Sequence, residues 1–173
     1  MNKHNAISSG MAVIGLFIGM QVSAASFAPD EKMVERGHYL VATSGCNDCH
    51  TPGYPEAGGK LPDSQWLTGS PVGFQGPWGT SYPANLRLVI NGLSEQQWLD
   101  RARSEMRPPM PWFNLRVMTD DDLLAIYQYV RKLGAAGEPA PSYAPPGVAV
   151  STPYFDFVPK NLHSAALDGT PVK

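Results

Sequence analysis

Apolar positions along the chain fall into three stretches with a helical period, separated by long segments that have none. In the first, Met33, Val34, Gly37, Tyr39, Leu40 and Val41 follow Pro29-Asp30-Glu31. The proline and acids suit a first helical turn, and the spacings give the helix an apolar side. In the second, Ser94-Glu95-Gln96-Gln97 reads as a cap ahead of Trp98, Leu99, Ala102 and Met106, and the helix is predicted to end at Pro108. A proline pushes the residue before it out of helical geometry. In the third, Thr119-Asp120-Asp121-Asp122 resembles a capping box with acids at the positive end of the helix dipole. Leu123, Ile126, Tyr127 and Val130 then repeat at i, i+3, i+4 and i+7, and Arg131 and Lys132 precede Gly134 as a stop.

The intervening stretch from Thr51 to Leu93 is rich in glycine, proline and aromatics and is predicted to be loop with little regular structure. So long a loop counts against a compact domain unless a large apolar group is present for it to pack on. From Gly137 to Val172 prolines and small residues recur among Tyr143, Tyr154, Phe155 and Phe157, with no helical or strand period. The expectation is an extended tail that either shields the domain as a packed arm or is ordered by a partner.

The N-terminus differs from both. Lys3 precedes an uncharged apolar run from Ala6 to Val22, and Val22-Ser23-Ala24 supplies small residues for cleavage, the three parts of a secretory signal. The competing reading is a retained membrane anchor, for which the run is short and lacks a basic stop-transfer cluster. The chain therefore divides into a signal over 1–24, one domain over 25–136 and a tail over 137–173. Composition agrees with a single globular domain, at 43% hydrophobic and 16% charged among 173 residues. Without Lys3, twelve basic residues face fifteen acidic ones. Neither a nucleic-acid footprint nor a polybasic membrane anchor is present, so membrane association is expected only through partners or an uncleaved signal.

The only two cysteines stand in Cys46-Asn47-Asp48-Cys49-His50. A disulfide across so short a gap cannot staple distant segments of an exported protein. A zinc site needs about four ligands, and beyond His50 the mature chain has only His38 and His163, with no second cysteine pair. A thioredoxin-like dithiol would follow a buried strand in an α/β pattern, whereas the residues before Cys46 read as helix. Haem attachment explains all five positions: cysteines at i and i+3 project from one side of a helical turn and can each add to a haem vinyl group, and the next residue brings its imidazole under the iron.

On these residues the chain resembles the class I c-type cytochromes. The resemblance implies a mainly α fold wrapped around one covalent haem c, in which the helix leading into the motif is crossed by the C-terminal helix. Gly37 then has a motive, since a lone mid-helix glycine costs about 1 kcal/mol and a close helix crossing, with Tyr127 or a neighbour against it, offsets that. For the sixth iron ligand the choice is Met110, held in Arg107-Pro108-Pro109-Met110-Pro111-Trp112-Phe113 about sixty residues beyond His50. Prolines restrict that loop and lower the entropy lost in presenting a thioether. Met106 and Met118 are the main alternatives, with Met33, His38 and His163 behind them.

The segment from Phe74 to Leu86 resembles a loop of small cytochromes that accompany periplasmic dehydrogenases. Within and beside it, Trp78, Tyr82, Asn85 and Arg87 carry donors suited to haem propionates, their bland role being loop packing. A His/Met-ligated iron has no open position and a potential suited to accepting electrons. The resemblance thus implies a periplasmic electron carrier and not an enzyme, with a dehydrogenase as donor and a downstream cytochrome or oxidase as acceptor. The alternative is a haem enzyme, or a gas- or peroxide-responsive protein, whose sixth ligand leaves.

Overall fold

The computed structural model describes residues 28–160; the signal segment and His163 lie outside them. Helix α1 spans Glu31–Thr43, and its N-cap Asp30 accepts hydrogen bonds from the amides of Lys32 and Met33 at 2.9 and 3.3 Å. Helix α2, Cys46–His50, follows after Gly45, whose φ of 74° makes the turn between them. Helix α3 covers Leu86–Asn91, α4 Glu95–Arg103, α5 Trp112–Val117 and α6 Asp120–Leu133.

The crossing of α1 and α6 is the main helix contact of the fold. Val34, Gly37, Leu40 and Val41 are the buried residues of α1, and Leu123, Ala125, Ile126, Tyr127, Tyr129 and Val130 those of α6. All four apolar positions expected on α6 are buried, whereas Tyr39 of α1, expected on the apolar side, is 56% exposed. Gly37 does sit at the crossing, but its neighbours are Ala125 and Tyr129. Tyr127 turns elsewhere and donates its hydroxyl to the carbonyl of Leu93. Thr119 caps α6 by accepting from the Asp122 amide at 3.1 Å. Gly134 closes the helix, its amide donating to the carbonyls of Val130 and Arg131.

The capping box of α4 forms as its sequence indicates, with Ser94 and Gln97 bonded reciprocally. The helix stops at Arg103, short of Pro108, because Ser104 is already extended at ψ 157°, so Met106 lies outside it. Trp98 from α4 is buried and donates its indole N–H to the Leu123 carbonyl at 2.7 Å, tying α4 to the first turn of α6.

Residues 51–93 are more regular than expected. They hold a 3-10 turn at Asp63–Gln65, strand β1 at Gly73–Gly76, strand β2 at Gly79–Ser81 and helix α3. The tail also supplies structure: β3, Tyr154–Asp156, pairs in parallel with β1 while β2 pairs with it antiparallel, giving the order β2-β1-β3. Phe74 stacks on Phe155 and meets the edge of Phe157, so the tail through residue 160 takes the packed-arm form.

Candidate haem site

Cys46, Cys49 and His50 come from one helical turn, and all three line a cavity of about 730 Å³. A volume in the range of roughly 300–1,000 Å³ suits a cofactor. Its apolar wall includes Val41, Leu67, Leu86, Trp98, Leu115 and Ile126. Met106, Met110 and Met118 line the same cavity. Met33 and His38 do not: Met33 packs on the helical core, and His38 stacks on Trp66 with ring centroids 5.2 Å apart.

The His50 imidazole is buried and its orientation is fixed. Nδ1 lies 2.7 Å from the carbonyl oxygen of Ala84. A carbonyl only accepts, so Nδ1 carries the proton and the Nε2 lone pair is left for a metal. Burial lowers the His50 pKa, against the opposing pull of the Ala84 carbonyl, which favours the neutral imidazole that binds iron. Two loops make this contact possible. The Gly69 amide donates to the His50 carbonyl at 2.8 Å, with φ at 80°, and a Cβ there would stand 2.7 Å from the Asn85 nitrogen. Only glycine lets the chain pass between His50 and the Ala84-Asn85 segment in that conformation.

The motif is tied to the cavity wall through Thr51. Its hydroxyl donates to Asn47 Oδ1 and accepts from the Leu67 amide, both at 2.7 Å. Leu67 is fully buried and has φ 62°, a left-handed conformation rare for a leucine. The Thr51 bond holds it there with its side chain lining the cavity.

The cysteines differ from a redox-active pair in their electrostatics. Desolvation pushes the Cys46 thiol up to about 11, and desolvation with the nearby Asp48 charge pushes Cys49 up as well. An attacking dithiol has a lowered pKa. Two thiols one helical turn apart beside a roomy apolar cavity, next to an imidazole with its Nε2 unspent, fit covalent haem better than thiol–disulfide exchange.

Of the four donors expected at the propionates, only Tyr82 lines the cavity, and its hydroxyl is 2.6 Å from Thr152 Oγ1. The Trp78 indole N–H donates to the Phe74 carbonyl at 3.3 Å. Asn85 caps α3 through Oδ1 and donates from Nδ2 to the carbonyls of Ala136 and Glu138. Arg87 is buried and spends its guanidinium on the carbonyls of Ser64, Leu133 and Gly134. These three are scaffold bonds away from the cavity lining. The polar groups that do line it and that sequence reasoning missed include Ser81, Arg101, Arg107, Asn114 and Tyr143. Arg107 was within sight as a neighbour of Met110, and Tyr143 as one of the aromatics of a tail expected either to pack as an arm or to be ordered by a partner, without a stated docking surface.

The Cytochrome c family model matches residues 34–134. Among curated proteins, the chain is 26% identical over 139 residues to the fructose dehydrogenase cytochrome subunit of Gluconobacter japonicus, covering 71% of this chain and 27% of that protein. It is 28% identical over 131 residues to the cytochrome c subunit of the quinone alcohol dehydrogenase of Gluconobacter oxydans (strain 621H), covering 68% of this chain and 25% of that one. The chain thus spans about a quarter of the length of these relatives. No solved structure matches it. With the motif, most of the cavity lining and the α1–α6 crossing inside the matched span, the chain belongs to the cytochrome c family, its cofactor is covalently bound haem c, and its chemistry is electron transfer.

Proposed function

We propose that this chain is a periplasmic one-electron carrier working with a dehydrogenase. Cys46 and Cys49 would hold the haem through thioether bonds, and His50 Nε2 and the Met110 sulfur would be the protein's ligands to its iron. The haem supplies the one-electron iron couple. The protein's part is to hold the imidazole in one tautomer, present a thioether, exclude water with the apolar wall and leave no open coordination position. The observation that carries this reading is the convergence of His50 and the Met110 loop on the cavity lined by both cysteines.

The dehydrogenase as donor rests on the two relatives, each named as the cytochrome subunit of one. A downstream cytochrome or oxidase is the fitting acceptor, since His/Met coordination favours a high potential. The periplasm as location rests on the signal-like first 24 residues and on the compartment where c-type haem attachment and dehydrogenases of this sort meet; no helix among the described residues is long and apolar enough to cross a membrane. In this division of labour residues 25–136 form the cytochrome domain and the remainder an accessory arm.

Met110 is preferred to Met106 and Met118 because its amide is already bonded to the Arg107 carbonyl at 3.2 Å inside a turn bounded by prolines. Such a turn loses little entropy when the sulfur is fixed. The ferric protein is expected to show the weak long-wavelength charge-transfer band of an iron–methionine bond, and Met110→Ala is expected to abolish it. A band that survives in Met110→Ala and disappears in Met106→Ala or Met118→Ala assigns the ligand to that residue instead.

A further inference from the structure

The family match ends at residue 134, yet Pro141 and Tyr143 line the haem cavity. The pocket of this chain is therefore built partly by its C-terminal arm. We infer that the arm is a strap that holds the methionine loop in place, with Tyr143 as the positioning residue that grips Arg107. The ligand part of this inference rests on the coordination by Met110 proposed above; the mechanical part does not.

The arm is fixed at successive points along its length. Asn85 Nδ2 takes the carbonyls of Ala136 and Glu138. Thr80 and Ala144 exchange two backbone hydrogen bonds of 2.8 and 3.0 Å. Gly79 meets Ala144 so closely that a Cβ would come within 2.3 Å of its carbonyl oxygen. Further on, Thr152 meets the Tyr82 hydroxyl, and β3 adds to β1. The arm thus runs along the β1–β2 hairpin, bonded to β2 through Ala144 and to β1 through β3.

Tyr143 sits where the arm meets the methionine loop. Its hydroxyl donates to the Trp78 carbonyl at 2.9 Å, which fixes the ring. The Arg107 guanidinium stands 3.9 Å from the ring centroid, well within cation–π range. Arg107 is three residues from Met110 and accepts its amide hydrogen bond. The hairpin grips the same loop a second time, through the Ser81 hydroxyl donating to the Pro108 carbonyl at 2.5 Å. The loop that carries Met110 is thus clamped at Arg107 and at Pro108, and one of those clamps comes from beyond the span that the family model matches.

A displaceable ligand reports its own loop: an external ligand binds in proportion to the fraction of molecules in which the thioether has left. Carbon monoxide affinity of the ferrous holoprotein is one probe of that fraction, and hydrogen exchange at the Met110 amide is a second that does not depend on which side chain ligates iron. Tyr143→Leu and Arg107→Gln are each expected to raise both carbon monoxide affinity and Met110 amide exchange about two- to fivefold. The double variant is expected to do no more than either alone, because both remove one contact. Tyr143→Phe keeps the ring under the guanidinium and is expected to change both less than Tyr143→Leu does. Arg107 is exposed, so Arg107→Gln tests the contact even where Tyr143→Leu folds poorly. Wild-type exchange at the Met110 amide in both Tyr143→Leu and Arg107→Gln overturns the strap. Faster exchange with wild-type carbon monoxide affinity, in a protein where Met110→Ala also leaves that affinity unchanged, upholds the strap and overturns Met110 as the ligand.

Discussion

Gly37 of α1 lies against Ala125 of α6 so closely that a Cβ at position 37 would stand 2.0 Å from the Ala125 carbonyl oxygen and 2.8 Å from the Tyr129 Cβ. The obstacle is largely backbone and cannot rotate away. Two effects oppose each other at this position. Alanine is better than glycine in a helix interior by about 1 kcal/mol, whereas overpacking a tight contact costs roughly 1–3 kcal/mol and more against backbone. Gly37→Ala is therefore expected to destabilise the holoprotein by about 2 kcal/mol, measured as the change in denaturant midpoint. A stabilised variant would mean that the helices do not cross at Gly37.

The two helices were legible in the sequence because their signals are local, whereas their crossing came only from the resemblance to class I cytochromes. Caps at Asp30 and Thr119, a period of apolar residues and a terminal glycine each act within one helix, and the five-residue haem motif fits in a single turn. What was not legible depends on distant partners. Strands β1 and β2 are four and three residues long with glycine at both ends of β1, too short for a period, and they exist as a sheet partly because β3 returns from the tail. Helix α5 follows directly on Pro111, inside what reads as a methionine loop. Asn85 and Arg87 look like free donors in sequence, and only the folded chain brings them the carbonyls of residues 133–138. Cavity residues such as Tyr143 share that dependence, being distant from the haem motif in sequence and near it only in space.

The Arg36 and Asp122 pair also spans the two crossing helices, with Arg36 Nε donating to Asp122 Oδ1 at 2.9 Å. This hydrogen bond, aided by the guanidinium charge, holds the Asp122 pKa below the ordinary carboxylate value. A depressed carboxylate contributes stability above its unfolded pKa, about 3.9 for aspartate, and loses it as pH falls through the lower folded value. The pair is half exposed on the arginine side, so its worth is the small one of a solvent-screened surface bridge. Asp122→Asn is expected to lower stability slightly at pH 7, and by progressively less as pH drops below about 4. Urea unfolding of both proteins across pH 2–7 checks the convergence; a constant gap would assign the loss to helix capping and not to charge.

Thr51 links the haem motif to the strained wall residue Leu67 through one hydroxyl that gives one bond and takes another. Thr51→Val keeps the shape and removes both. A buried amide and a buried carboxamide oxygen then lack partners, at about 1–3 kcal/mol each, and the left-handed Leu67 loses its restraint. The expected loss is roughly 2–4 kcal/mol of stability, with most of it recovered in Thr51→Ser, which retains the hydroxyl. Equal stability of the valine and serine variants would show that the hydroxyl bonds contribute nothing net.

Arg87 separates a scaffold role from a haem-contact role. Its guanidinium donates to the carbonyls of Leu133 and Gly134 at the end of α6, where helical carbonyls have no partner of their own, and to Ser64 before it. Because the side chain is buried, Arg87→Met leaves those acceptors without a donor, and charged hydrogen bonds of this kind are worth about 1.5–3 kcal/mol. The expected result is a loss of roughly 3 kcal/mol in unfolding free energy. The reduction potential and the haem absorption spectrum are expected to stay as in the wild type, since no Arg87 donor lines the cavity. A shifted potential with little change in stability would reverse that assignment and return Arg87 to the propionates, so potentiometric titration and denaturant unfolding of the same variant together decide between the two roles.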